Sequence, residues 1–155
     1  MRKFIRPGII LLLATLALGA ALLPTARPVA GAGIQAVSAG GDHTCALTTA
    51  GGVKCWGHNN YGQLGDATTT DRTAPVGVSG LASGVAAVSA GGEHTCALTT
   101  AGGVKCWGDN YYGQLGDGQA CGWECATPVD VTGLTSGVVA VSAGGLHTCA
   151  LTTAG

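Results

Sequence analysis

The sequence predicts an all-β fold made of β-propeller blades, each with four antiparallel strands. The stretch HTCALTTAGGVKCWG at residues 43–57 recurs unchanged at 94–108, and a third copy begins at His147. Glycines separate short runs of strand-forming residues, and no run has the period and length of a helix. Four short strands in each unit of about 50 residues is the pattern of a propeller blade.

Each repeat opens at an equivalent apolar residue. These residues are Ile34, Val85 and Val138. The repeat boundaries are 34–84 for the first, 85–137 for the second and 138–155 for the start of the third. The second repeat is longer because residues 118–127 replace the shorter loop 67–74. We call residues 118–127 the rim loop.

The glycines, the hairpin loop and the proline of the first unit mark the ends of its strands. The predicted strands are Gln35–Ala39, His43–Thr48, Val53–Gly57 and Pro75–Val78. A tight hairpin loop centred on Ala50 joins the second strand to the third. Pro75 is placed at the start of the fourth strand because proline cannot donate to a ladder.

The N-terminal segment has the composition of a secretory signal. A basic start, Met1–Arg6, precedes an apolar run at Ile9–Leu23, which is shorter than the about 20 residues that span a bilayer. Ala30-Gly31-Ala32 supplies small residues for cleavage. We therefore predict a signal peptide at 1–32, cleaved near Ala32, and a secreted or cell-surface chain at 33–155. An uncleaved anchor is the alternative, and no later segment is apolar enough to span a membrane.

The charge of the predicted mature chain argues against nucleic-acid binding. The whole chain has a formal net charge of −1, but only three of its seven cations follow residue 33. These are Lys54, Arg72 and Lys105, against all eight acids, so the mature part has a net charge of −5. Nucleic-acid binding depends on clustered Lys and Arg, and the chain has no such cluster.

The cysteine spacing predicts disulfides within hairpins. A hairpin centred on Ala50 places Cys45 opposite Cys55, within the range that a disulfide bridges. The same register pairs Cys96 with Cys106, and Cys121 with Cys125 would close the rim loop on itself. Metal ligation and free thiols are the alternatives, although the spacing is not that of a structural zinc site. Cys149 is the odd cysteine, and its partner is expected ten residues on, beyond residue 155.

The repeated motif resembles a known family. The motif A-G-G-x-H-T-C-A-L followed by G-x-V-x-C-W-G-x-N-x-x-G-Q-L-G spans Ala39–Leu47 and Gly51–Gly65, and recurs at Ala90–Leu98 and Gly102–Gly116. It is similar to the regulator-of-chromosome-condensation repeat. The resemblance implies a propeller, usually of seven blades. A closed ring would need on the order of 350 residues, so we expect a fragment of about two and a third blades.

The positions that differ between copies are the candidate functional positions, because the identical ones serve the blade itself. Loops on a rigid scaffold commonly carry binding residues. The candidates for binding are Trp123, Glu124, Tyr111, His58 and Asp109. Trp123 is the strongest, since tryptophan is enriched among interface hot spots; folding back over the blade edge is its structural alternative.

The sequence favours a secreted, non-catalytic binding module that holds a protein or glycan partner with its rim loops. No catalytic set, cofactor motif or metal site stands out from the repeat background. A secreted propeller similar to this family inhibits β-lactamases, which makes enzyme inhibition the alternative function. Two further functions are less favoured. Guanine-nucleotide exchange is known for the family's best-known member, but the predicted export argues against it here. The other is hydrolysis at the channel mouth of the propeller.

Overall fold

A computed structural model describes residues 33–154. The predicted signal peptide, 1–32, lies outside the described residues. The described part consists of short strands, turns and loops, and it has no helix long and apolar enough to cross a membrane. The strands are β1 (Ile34–Ala39), β2 (His43–Thr48), β3 (Val53–Gly57), β4 (Arg72–Gly77), β5 (Val85–Ala90), β6 (His94–Thr99), β7 (Val104–Asp109), β8 (Glu124–Asp130), β9 (Val138–Ala143) and β10 (Thr148–Thr152).

The strands form successive antiparallel sheets, one for each repeat. The first sheet has the order β1-β2-β3-β4 and the second has the order β5-β6-β7-β8. The third repeat contributes the pair β9 and β10. Within each sheet, every strand pairs with its neighbours in sequence, which is the meander of a propeller blade. The predicted all-β fold with four-stranded blades is confirmed.

The register of the repeated hairpin is the predicted one. Leu47 pairs with Val53 and Cys45 pairs with Cys55 across β2 and β3, and the second blade repeats this register. The Cα atoms of Cys45 and Cys55 are 4.1 Å apart, and their sulfurs are joined. Cys96 and Cys106 are joined in the same way. All four of these cysteines are fully buried in the core.

The fourth strand begins earlier than predicted. It spans Arg72–Gly77 in the first blade, so Pro75 lies inside the strand rather than at its start. Proline is tolerated there because β4 is the last strand of its sheet and has no neighbour on its other side. An irregularity in the β3–β4 pairing between Cys55 and Gly57 shifts the register, and this break is not visible in the sequence.

The blades are joined by a repeated set of polar contacts. The Thr95 hydroxyl donates to the Gln63 carbonyl of the preceding blade at 2.9 Å, and the indole of Trp107 donates to the same carbonyl at 2.9 Å. His43 Nε2 lies 2.8 Å from Thr95 Oγ1. Because the single Thr95 proton goes to Gln63, Thr95 must accept from His43. Trp107 is fully buried, so this tryptophan serves blade packing.

Candidate functional site

The candidate positions identified in the sequence lie at one end of the blades. Successive connections in an antiparallel sheet alternate between its two ends. The turn between β1 and β2 therefore shares an end with the long connection between β3 and β4, and the hairpin between β2 and β3 lies at the other end. Residues 42, 58, 60 and 67–71 fall in connections of the first kind. In the second blade, Asp109 is the last residue of β7 and Glu124 is the first residue of β8, at the same end. We call this end the variable end.

Asn110 fixes the shape of the connection that contains the rim loop. Its side-chain amide nitrogen donates to the carbonyl of Gly122 at 2.9 Å and to Asp117 at 3.1 Å, while its side-chain oxygen accepts from the amide of Leu115. The backbone amide of Asn110 donates to the carbonyl of Trp123 at 2.7 Å. Asn110 is buried, so a single side chain ties the two ends of the loop together.

Asp117 anchors the inner side of the rim loop. Its carboxylate accepts from the backbone amides of Gln119 and Cys121 at 3.0 and 3.1 Å. Burial raises the pKa of Asp117, but these hydrogen bonds and the one from Asn110 outweigh it and hold that pKa below its ordinary value. The loop is thus held by an ionised side chain across the physiological pH range.

Cys121 and Cys125 lie beside this carboxylate. Their sulfurs are joined and their Cα atoms are 5.7 Å apart. The ligand atoms of Asp117, Cys121 and Cys125 lie within 4.8 Å of one another. With both cysteines reduced, this group could hold a metal ion. A disulfide has no thiolate to offer a metal. In this structure the two cysteines therefore close the loop and do not form a metal site.

Three aromatic side chains project from the variable end of the second blade. Tyr111, Tyr112 and Trp123 are exposed by 65%, 66% and 76%. The ring centroids of Tyr111 and Tyr112 are 4.9 Å apart, and those of Tyr111 and Trp123 are 6.1 Å apart, both edge to face. Trp123 therefore contacts the exposed ring of Tyr111, and the blade covers neither of these two side chains.

The three rings line a cleft of about 290 Å³ together with Tyr61 and two carboxylates. The lining residues of this aromatic cleft are Tyr61, Asp109, Tyr111, Tyr112, Trp123 and Glu124. Asp109 and Glu124 are directly opposite each other in the β7–β8 pair. Asp109 is buried and accepts from the side chain of Gln114 at 2.6 Å and from the amide of Tyr111 at 3.0 Å.

His58 does not join the aromatic cleft. Its Nδ1 lies 3.0 Å from the side-chain nitrogen of Gln63 and 3.4 Å from Glu93 of the next blade, and Gln63 also contacts Glu93. The structure thus brings together four of the five candidates from the sequence, which are Trp123, Glu124, Tyr111 and Asp109. The fifth lies in a separate polar cluster between the blades.

Tyr61 and Tyr112 line the aromatic cleft but were not predicted. They occupy the same position in their repeats, so a comparison that seeks only differences between the copies excludes them. The adjacent pair Tyr111-Tyr112 in a connecting loop is the signal that could have identified Tyr112. Tyr61 belongs to the first blade, so its approach to the second blade requires the structure.

The repeated histidines bond to side chains of the next blade. His43 Nε2 contacts Thr95, and His94 Nε2 lies 2.9 Å from the hydroxyl of Thr148. Burial lowers the pKa of His43 to about 4, with a further lowering from the neighbouring His94 and His58. Burial also lowers the pKa of His94. These histidines are therefore neutral packing residues between blades.

Comparisons with known proteins agree with this architecture. Two models of the regulator of chromosome condensation (RCC1) repeat match the chain, one at residues 34–63 and 85–114 and the other at residues 50–98 and 101–151. The human probable E3 ubiquitin-protein ligase HERC3 is 44% identical over 91 residues, which are 58% of this chain and 9% of HERC3. The Arabidopsis thaliana ultraviolet-B receptor UVR8 is 34% identical over 124 residues, 79% of this chain and 28% of UVR8.

Solved structures show the same fold. Human WBSCR16 superposes with a TM-score of 0.70 at 26% identity, over 77% of this chain and 31% of that one. Yeast RCC1 (Prp20), solved bound to Kap60, superposes with a TM-score of 0.67 at 21% identity, over 79% of this chain and 30% of that one.

The chain spans less than a third of each of these proteins, and the likeness to the E3 ligase is confined to the repeat region. The second of the two repeat models alone matches more than half of the chain. With the four-stranded blades and the repeated contacts between them, this match shows that the chain belongs to the regulator of chromosome condensation (RCC1) repeat family.

Proposed function

We propose that the protein is a secreted or cell-surface, non-catalytic binding module that holds a protein partner through the rim loop. The observation that carries this proposal is the exposed group Tyr111, Tyr112 and Trp123 on a connection held rigid by Asn110 and Asp117. Large aromatic side chains dominate the binding energy of protein interfaces. A loop held in place before binding loses little conformational entropy when the partner arrives.

The comparisons favour a protein as the partner. The yeast RCC1 structure contains Kap60, and a second structure of Prp20p is described with its binding to Gsp1p and histones. Those partners belong to those proteins. They support the use of this scaffold for protein binding.

Capture experiments test the proposal. The full-length protein, immobilised as bait, is exposed to proteins from the culture medium and the cell surface of the source organism. We expect capture to be lost with Trp123→Ala and with a chimaera in which residues 67–74 replace the rim loop. Thr135→Ala, in the connection at the opposite end of the blades, is the matched control and retains capture. Undiminished capture by both rim variants would reject the rim loop as the binding site.

The predicted export has its own test. Fractionation of cells that express the full-length protein, with N-terminal sequencing of the exported form, measures location and cleavage together. We expect the exported form to begin near Gly33. Retention of the intact chain inside the cell would reject the secreted location and leave the rim-loop proposal to the capture experiment.

Enzyme inhibition is a form of the same proposal in which the partner is an enzyme. A rigid, clipped loop with one exposed tryptophan is the type of element that enters a concave site. Titration of the full-length protein against a β-lactamase, with residual activity as the readout, distinguishes this form from adhesion.

A further inference from the structure

We propose that the aromatic cleft binds a basic side chain, arginine or lysine, that the protein partner presents. This inference rests on the proposed function and names the chemistry of the partner. It is carried by the combination of exposed rings, opposed carboxylates and the absence, within residues 33–154, of a lysine or arginine at the same place.

The rings provide faces that attract a cation. The face of an aromatic ring carries negative partial charge and attracts ammonium or guanidinium groups within about 6 Å of the ring centroid. Tyr111 lies 4.9 Å from Tyr112 and 6.1 Å from Trp123, centroid to centroid, so a cation that enters between the rings can be close to more than one of them. The rings meet at interplanar angles of 81° and 67°. They form steep walls around the cleft and not one flat platform.

The carboxylates of the cleft have no lysine or arginine partner in the part of the chain that the structure describes. Like charges directly opposite each other in an antiparallel pair destabilise it, and Asp109 faces Glu124 in this way. Asp109 is buried, yet its partners are the neutral amide groups of Gln114 and Tyr111. A buried charge is costly unless an opposite charge accompanies it. The site is therefore stabilised when a cation enters.

The basic residues of the described part lie elsewhere. Arg72 pairs with Asp66 at 2.8 Å, and Lys105 pairs with Asp130 at 2.7 Å. Lys54 lines a different, apolar cleft on the first blade. Within residues 33–154, no lysine or arginine thus reaches the aromatic cleft, and the cleft is open to a cation that a partner presents.

The first blade shows that the family scaffold does not require these residues. Gly57 pairs with Arg72, and the equivalent Gly108 pairs with Cys125. The positions of Trp123 and Glu124 are therefore taken by Thr70 and Asp71 in the first blade. His58 and Asn60 stand there in place of Asp109 and Tyr111. Two of the rings and one of the carboxylates are specific to the second blade.

A neutral glycan is a poorer match to the cleft. Rings and carboxylates also occur where sugars bind, and sugar hydroxyls can donate to Glu124. They leave the two opposed negative charges without a counter-charge, whereas a basic side chain removes that repulsion. Charge complementarity therefore selects a basic protein segment over a sugar.

The test follows the indole N–H signal of Trp123 in nitrogen-15-labelled full-length protein. Trp123→Thr identifies this signal by its loss. The protein is titrated at low salt with a blocked glycine–serine peptide that contains one central arginine, and with the same peptide containing neutral citrulline instead. We expect the arginine peptide to bind at least about fivefold more tightly. Glu124→Gln and Tyr111→Asn should remove that difference.

The matched control is Asp130→Asn. It removes one negative charge from β8, the strand that begins at Glu124, but at the opposite end of the blade. We expect it to leave the preference for arginine unchanged. Equal affinity for the two peptides, no saturable shift with either, or an equal effect of Asp130→Asn would overturn the proposal. So would saturable binding of a neutral methyl glycoside without an arginine preference.

These outcomes are separate from the fate of the proposed function. Loss of capture by Trp123→Ala, combined with equal affinity for both peptides, would leave the rim loop as the protein-binding site and reject only the basic side chain. Unchanged capture by the rim variants would reject the proposed function itself.

Discussion

Asp109 and Glu124 are directly opposite each other where β7 and β8 pair, and neither carboxylate has a basic partner within residues 33–154. The arrangement places repulsion at the entrance of the rim loop in the free protein. Charge repulsion that a partner relieves is a common reason for a binding site to lower the stability of its own fold.

Glu124→Gln should therefore stabilise the free protein. Removing one of two opposed like charges is expected to raise the free energy of unfolding by roughly 0.2–1 kcal/mol. Urea unfolding at neutral pH and low salt measures it. Asp130→Asn, which breaks the pair with Lys105, should give no gain, and a loss of stability with Glu124→Gln would contradict the repulsion.

The buried histidines predict a loss of stability in mild acid. His43 and His94 are buried, and the Nδ1 atom of each has no hydrogen-bond partner among the described residues. Burial, followed by the charges of His94 and His58, lowers the pKa of His43 from 6.5 to about 4. The unfolded chain thus binds a proton that the folded chain does not, and stability is fully present above pH 6.5 and falls as the pH drops toward 4.

Thermal unfolding between pH 7.5 and 4 tests this effect. We expect the midpoint to decrease through that window and the decrease to be smaller in His43→Gln, which keeps an N–H donor but does not titrate. The hydrogen-bonded carboxylates Asp66 and Asp117, whose pKa values are lowered, act only at lower pH. A midpoint that stays constant down to pH 4.5 would show that the histidines are not buried in the neutral form.

The hydroxyl of Thr95 is predicted to be a main polar link between the first two blades. Thr95→Val keeps the shape but leaves His43 without an acceptor and removes one of the two donors to the Gln63 carbonyl. Leaving buried polar groups unpaired costs about 1–3 kcal/mol. Chemical unfolding of this variant is compared with Thr132→Val, an exposed threonine, for which little change is expected. Equal effects of the two changes would argue against the link.

The repeated hairpin could be predicted residue by residue, because the length of its loop fixes the register of every pair that follows. The pairing of Cys45 with Cys55 is a direct consequence. The start of β4 could not be predicted in the same way. Its pairing with β3 passes through an irregularity, and an edge strand with one neighbour lacks the apolar alternation that marks strands buried on one face.

The candidate site was predictable only in part, for a related reason. Trp123 and Tyr111 stand out because they differ from their counterparts in the first repeat. Their approach depends on the hydrogen bond from the Asn110 amide to the Trp123 carbonyl, which joins distant parts of the connection. Asn110 has the same identity as Asn59 in the first repeat, so comparison of the copies gives it no functional weight. The identical scaffold residues thus position the variable ones.

The paired cysteines predict a defined disulfide map. Non-reducing peptide mapping of the full-length protein should recover Cys45 with Cys55, Cys96 with Cys106 and Cys121 with Cys125. The double change Cys45→Ala and Cys55→Ala should lower the free energy of unfolding by about 2–4 kcal/mol, because the unfolded chain regains the freedom of the loop. Full alkylation of these cysteines without reductant, or bound zinc in the purified protein, would contradict this map.

The pair Cys121 and Cys125 should act on the rim loop alone. This clip lies at the edge of the second blade, beside Asp117, which also receives the amide of Cys121. A short loop at an edge can open without unfolding the blade. Changing both cysteines to serine should therefore speed amide hydrogen exchange at residues 118–124 at least about tenfold while the global unfolding midpoint changes little.

The loss of order in the rim loop of Cys121→Ser/Cys125→Ser should also weaken partner binding. The partner then has to fix the loop on arrival, so its affinity should fall even though Trp123 and the blade are intact. The comparison is the variant in which Cys96 and Cys106 are replaced by alanine. We expect this change to lower global stability but to speed amide exchange in the rim loop less than about tenfold. Equal exchange rates in wild-type and Cys121→Ser/Cys125→Ser protein would show that Asn110 and Asp117 hold the loop without the clip.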